Sequence, residues 1–128
     1  MQILKKTQYG LRAMVCLAKK YESRQICSTK VISEKEGIPF GFLEKIISQL
    51  EKQSLVKSKK GFSGGYILAK NPNKITAKDI VEIFEKTNLV NCTLCGRSGK
   101  CLTKSVWGKI DKSFSKTLKS ITLKDLIS

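Results

Sequence analysis

Histidine is absent from the 128 residues. That removes most general-base chemistry and every metal site that needs an imidazole. Acidic residues are scarce, 10 against 25 basic ones, and only Arg12, Arg24 and Arg97 of the basic set are arginine. The net charge of +15 is more than solubility requires and points to a polyanion partner. No apolar run approaches the ~20 residues that a membrane span needs. The first residues, Met1 to Tyr9, lack the apolar centre and small-residue cleavage site of a secretion signal, so a cytoplasmic location is expected. Internal repeats and low-complexity linkers are also missing, and the length suits one domain with its own core.

In a reducing cytosol, clustered cysteines read as metal-binding or redox-active rather than as a disulfide framework. Three of the five cysteines fall in Cys92-Thr-Leu-Cys95-Gly-Arg-Ser-Gly-Lys-Cys101. Thiolates at such short spacing on a small, polar stretch can converge on one ion or cluster without distant parts of the fold being placed first. Zinc suits a Cys-x2-Cys pair, yet three thiolates leave its tetrahedron one ligand short. A thiol switch is a further option. A thiol oxidoreductase fits poorly, because no strand precedes the Cys-x2-Cys pair and histidine is lacking. Cys16 lies among apolar neighbours and reads as a small core residue, and Cys27 reads as incidental.

Along the chain, Leu11, Met14, Val15, Ala18 and Tyr21 repeat at helical spacing, so a helix is expected over 7–21, capped by Thr7. Ser28 or Thr29 opens a short helix through Glu36, with Val31 and Ile32 inward and Gly37 ending it. Pro39 suits the first turn of the next helix. Its stripe of Phe42, Leu43, Ile46, Ile47 and Leu50 is apolar, and Glu44, Lys45, Ser48, Gln49 and Lys52 lie opposite. Two short helices about a glycine-containing turn make a helix-turn-helix, whose second helix enters a groove. Leu55 to Lys60, the turn Gly61 to Gly65, and Tyr66 to Leu68 then read as a β-hairpin. A hairpin in that place is a wing, and its glycines let backbone approach a phosphate while Lys59 and Lys60 add charge. The glycines do not form a nucleotide-binding loop, because the Lys-Ser/Thr ending is missing and a strand follows. Asn71 to Lys74 is a turn. Thr76 with Asp79 caps a helix lined by Ile80, Val81, Ile83 and Phe84 and ending near Asn88. A last long helix is expected over 103–119, with Val106, Trp107, Ile110, Phe114 and Leu118 in a narrow stripe that suits pairing with a second copy. Thr122 to Asp125 opens a final turn that packs Leu123, Leu126 and Ile127.

The fold expected is mainly α with a small β-hairpin wing: a winged helix-turn-helix plus a long C-terminal dimerisation helix. Residues 1–72 form the DNA-binding region, and 73–128 form the sensor loop and dimerisation helix, within one compact domain.

Tyr9-Gly-Leu-Arg-Ala13, the run from Gly37 to Ile46, Gly61-Phe-Ser-Gly-Gly-Tyr66, Ile75-Thr-Ala-Lys-Asp-Ile80, Trp107 and Ile121-Thr-Leu-Lys-Asp-Leu126 together resemble one bacterial family, the Rrf-two type of winged-helix regulators. That family includes an iron–sulfur cluster assembly regulator, a nitric-oxide-sensitive repressor and a cysteine-metabolism repressor. The resemblance covers essentially the whole chain. It implies a transcriptional regulator, not an enzyme, that binds an inverted-repeat duplex as a homodimer. It implies that Glu44 contacts or discriminates against bases, with Lys45 and Gln49 on the same face. Lys60 falls where a wing residue enters the minor groove, beside Lys59, with Ser63 and Gly64 at the wing tip. Cys92, Cys95 and Cys101 fall where cluster-binding members hold an iron–sulfur cluster, of 2Fe–2S or 4Fe–4S type. The spacing of two and then five residues is tighter at its start than those members usually show. The fourth ligand is open: where some members have a histidine this chain has none, and where others use an acid from the partner's first helix it has Gln8. Zinc-based, thiol-based or cluster-free repression is the alternative.

Overall fold

The computed structural model of the protein describes residues 2–61, 64–85 and 102–128. Among these the order is α1 (Lys5–Lys19), α2 (Thr29–Glu36), α3 (Phe40–Lys52), β1 (Val56–Lys59), β2 (Gly65–Leu68), a 3-10 turn (Pro72–Lys74), α4 (Ala77–Phe84), α5 (Lys104–Ser120) and α6 (Leu123–Ile127). β1 and β2 form a two-stranded antiparallel hairpin in which Val56 faces Leu68 and Lys59 faces Gly65. The architecture is the mainly helical, winged arrangement that the patterning implies.

The core is assembled on α1. Its Ala13, Met14, Leu17 and Ala18 are buried, and α2, α3, α4, α6 and β2 all pack on this helix. Leu43, Ile46, Ile47 and Leu50 of α3 are buried as a stripe. Each such side chain stabilises by roughly 1.5–3 kcal/mol over its exposed state, so the stripe fixes the helix's rotation and leaves its polar face outward. The core also crosses residue 72, because Ile75, Ile80, Phe84 and Leu123 join the same cluster.

α1 begins at Lys5, and Thr7 does not cap it. Thr7 is fully buried inside the first turn, and its hydroxyl donates to the Glu85 carboxylate. The same oxygen, Oε2, accepts the Leu4 N–H at 3.1 Å. α1 lacks a side-chain cap of its own. A carboxylate from the end of α4 therefore supplies the negative group that a helix N-terminus favours. α2 opens as expected, with Ser28 Oγ accepting the Val31 N–H at 3.1 Å, and closes on Gly37 at φ 65°, the left-handed region. Only Ile32 of α2 is buried; Val31, expected inward, is exposed.

The hairpin is anchored on its far side by Cys27. The Cys27 N–H donates to the Tyr66 carbonyl at 3.0 Å, and the Tyr66 N–H returns to the Cys27 carbonyl at 2.8 Å. The approach is so close that a Cβ on Gly65 would lie 2.4 Å from the Cys27 carbonyl oxygen. Cys27 is thus buried at the base of the wing, not incidental.

The second half contains a short repeat. Ile75-Thr-Ala-Lys-Asp-Ile80 and Ile121-Thr-Leu-Lys-Asp-Leu126 share one six-residue pattern, and each opens a helix. Thr76 with Asp79, and Thr122 with Asp125, form reciprocal capping boxes. The two copies pair with each other, Ala77 N–H to Ile121 O at 2.7 Å and Leu123 N–H to Ile75 O at 2.9 Å. The expectation of no internal repeats is corrected here: the two copies stand in the sequence, and the fold shows that they pair. Leu123 is buried, whereas Leu126, expected to pack, is exposed. α4 ends at Phe84, earlier than the expected Asn88, and Glu85 is extended. A Cβ on Gly10 would meet the Phe84 ring at 2.6 Å, so glycine there lets α4 sit directly on α1.

Candidate nucleic-acid interface and cysteine site

Burying one stripe of α3 dictates what the other side offers. Gly41, Glu44, Lys45, Ser48, Gln49 and Lys52 are all exposed. α3 packs on β1, so the wing follows directly from this helix. Val56 of β1 is buried and Lys57, Ser58 and Lys59 are exposed. Alternation along the strand places Lys57 and Lys59 on the face away from Val56. Lys60, Gly61 and Gly64 are exposed at the turn, where the Gly64 N–H donates to the Gly61 carbonyl at 3.1 Å. Of the residues expected at the interface, Glu44, Lys45, Gln49, Lys59, Lys60 and Gly64 are therefore exposed on α3 and the wing. Ser63 lies outside the described residues. None of these lysines is ion-paired among the described residues, so their charge is available to an external anion.

Phe42 departs from its expected place in the buried stripe. It is 42% exposed, and the Tyr9 ring covers it edge-on at 5.5 Å. The Arg12 guanidinium lies 5.7 Å from the centre of that Tyr9 ring. Helical phase alone could have shown this, since Phe42 falls at the edge of the stripe and not at its centre. Lys57 and Phe40 are further exposed residues on these two elements, and period-two alternation in the wing is the signal that singles out Lys57.

Cys92, Cys95 and Cys101 lie outside the described residues. The chemistry of the donor set is the test available: three thiolates within ten residues, and no histidine in the chain, suit an iron–sulfur cluster and leave one position for another ligand. Among the described residues no group of three or more Cys, Asp or Glu side chains could hold a metal ion. The remaining thiols are buried in the core, and burial pushes both up from their ordinary value, for Cys16 with a further rise from Cys27 and Glu36. Such thiols are poor nucleophiles and poor ligands. Glu85, which sequence reading passed over, is the last described residue before the cysteine stretch. It ties that point to the start of α1 through Thr7 and Leu4. Gln8 follows Thr7, is half-buried, and donates through Nε2 to the Ile3 carbonyl at 3.1 Å.

α5 has no buried residue. It packs on α4, yet Trp107 and Phe114 are 36% and 48% exposed. Among the described residues no helix is long and apolar enough to cross a membrane.

A helix-turn-helix with a polar reading face, followed by a basic hairpin, defines a winged-helix transcriptional regulator. Comparison with known proteins makes the assignment specific. The chain belongs to the Rrf2 family, whose description is an iron-dependent transcriptional regulator and whose model matches residues 3–128. Protein rrf2 of Nitratidesulfovibrio vulgaris is 33% identical, over 99% of this chain and 87% of that protein. The HTH-type transcriptional regulator IscR of Cronobacter sakazakii is 32% identical, over 100% of this chain and 81% of that protein. Among solved structures, T. potens IscR superposes with a TM-score of 0.83 at 37% identity, covering 99% of this chain and 86% of that one. CymR, the global cysteine regulator of B. subtilis, superposes with a TM-score of 0.87 at 33% identity, covering 99% and 96%. These relatives are regulators, not enzymes, and DNA binding follows from the family.

Proposed function

We propose that the chain acts as a cytoplasmic homodimer on an inverted-repeat operator, and that an iron–sulfur cluster on Cys92, Cys95 and Cys101 controls its operator affinity. The observation that carries the reading is the three-thiolate run, set in sequence between α4 and α5 of a family described as iron-dependent. The residues for each part are distinct. Glu44, Lys45 and Gln49 read the major groove, and Lys59, Lys60, Ser63 and Gly64 follow the wing onto the backbone and minor groove. Val106, Trp107, Ile110, Phe114 and Leu118 pair with the same helix of a second copy. Residues 1–72 carry the DNA contacts and 73–128 the sensing and pairing.

Cys92, Cys95 and Cys101 would hold the cluster, which when bound supplies sensitivity to iron and to oxidation. The rest is work for the protein. α4 is seated on α1 through Gly10 and Phe84, and Glu85 grips the first turn of α1. A change in the 86–101 stretch therefore pulls on α1 from one end and on α5 from the other. The two recognition helices must stay about one DNA turn, ~34–36 Å, apart, so a small shift in dimer geometry changes affinity. Only a difference in free energy between the two states can do this.

A second reading keeps the fold and replaces the cluster with zinc, thiol chemistry or no ligand. The likeness to CymR favours it, because one of the similar solved structures is Staphylococcus aureus CymR in an oxidized form, 29% identical with a TM-score of 0.82. Purification without oxygen separates the two. The cluster reading expects coloured protein with iron and acid-labile sulfide, lost when all three cysteines are changed to alanine. Colourless protein without iron or sulfide would favour the second reading, in its zinc form if zinc is stoichiometric and in its thiol or ligand-free form if it is not.

A further inference from the structure

We propose that Phe40 is a base-reading residue, and that it recognises the 5-methyl group of a thymine in the major groove. This rests on α3 being the recognition helix.

Phe40 is the first residue of α3. Side chains of a helix tilt toward its N-terminus, so one on the first residue projects past the helix end. In a helix-turn-helix that end is the part that reaches the base edges. Phe40 is 49% exposed on a helix whose outward residues, Phe42 apart, are otherwise polar or glycine. Phe42, the other exposed aromatic of α3, already has the Tyr9 ring against it. Among the described residues Phe40 has no ring partner. Leaving an aromatic in water forgoes the burial that would stabilise it, so a partner surface is the simplest account of it.

The floor of the major groove offers one apolar group, the thymine methyl, and aromatic or methyl-bearing side chains match it. The neighbours of Phe40 support the approach. Gly41, next in the chain and also exposed, has open space around it, so no side chain holds the helix away from the bases. Glu44 lies one turn further on, on the same side as Phe40, where a carboxylate can accept from a cytosine amino group. Phe40 and Glu44 would then read neighbouring bases, a thymine and a cytosine.

The test uses the intact chain and deoxyuridine, which differs from thymine only in lacking the methyl. A preferred duplex is first selected from random sequence. Each thymine of the half-site is then replaced singly by deoxyuridine, and affinity is measured for the parent, Phe40→Ala and Phe40→Met. The parent should lose about fourfold at one thymine of each half-site, the equivalent of one buried methyl. Phe40→Ala should bind the thymine and deoxyuridine duplexes equally, whereas Phe40→Met, still apolar, should keep part of the difference. The proposal is overturned by a half-site without thymine, by a parent indifferent to every replacement, or by Phe40→Ala showing the parent's loss. It is also overturned if Phe40→Ala weakens all duplexes alike, which marks packing on the backbone. A selected site that responds to Glu44→Ala while the deoxyuridine series is flat removes only the role of Phe40. Failure to select any duplex removes the recognition-helix reading with it.

Discussion

At the scale of single residues, charge and thiols lead to different expectations. Lys60 is exposed at the end of β1 and free of ion pairs among the described residues, so as a phosphate contact it should release about one counterion. Lys60→Ala should weaken binding by a similar factor on every duplex and lower the slope of log K against log salt by ~1 per contact. An unchanged slope would place Lys60 off the DNA. Cys16 and Cys27 give a pH dependence with a definite sign. Burial raises both thiols above the ordinary value of 9.0. The unfolded chain therefore loses these protons first, while the folded chain keeps them. Stability from this source is complete below the ordinary thiol value and falls as pH rises from there toward the folded values. Urea midpoints compared at neutral and alkaline pH should drop further for the parent than for a Cys16→Ala, Cys27→Ala double variant. Equal drops would mean that the two thiols ionise freely in the folded protein.

Elements show where sequence reading works and where it stops. α3 and the Thr76 capping box were legible because their signals are local, a 3.6-residue stripe and a threonine three residues before an aspartate; Thr122 with Asp125 carries the same signal but was read only as a turn. The start of α1 was misread for the opposite reason. Its cap is Glu85, 78 positions beyond Thr7, and no local pattern reports that. Gly65, expected in the turn, is the first residue of β2, and its close approach to Cys27 is a tertiary fact. In the candidate site, the outward face of α3 followed from the buried stripe, and so did the place of Phe42 at its edge, whereas the Tyr9 ring against Phe42 and the tie from Glu85 to α1 depend on neighbours far along the chain. Two measurements belong at this scale. Thr122→Ala removes the hydroxyl that accepts the Asp125 N–H at 3.2 Å and should cost about 1 kcal/mol in denaturant unfolding. No loss would show that pairing with the Ile75 segment alone holds α6. For α5, Phe114→Glu places a charge in the exposed apolar stripe, and sedimentation should shift from dimer to monomer with the helical signal retained. A dimer of unchanged stability would move the pairing surface off α5.

For the whole molecule, the central claim is coupling between the cysteine stretch and the DNA-reading face. The layout gives coupling a route, because one core joins α1, α3, α4 and α6, and Glu85 fastens the edge of the cysteine stretch to α1. The basic surplus of +15 supplies affinity for any duplex, so affinity alone says little about regulation. What must change between states is the preference for one inverted repeat. The direct measurement is the dissociation constant for a selected inverted repeat at fixed salt, taken without oxygen on iron-loaded protein and again on the same preparation after a chelator has removed the iron. The two values should differ by about 5- to 150-fold, the usual range of a coupling free energy, and the difference should vanish when Cys92, Cys95 and Cys101 are all alanine. Equal constants for the loaded and stripped parent would contradict cluster control and leave a regulator that reads DNA without it.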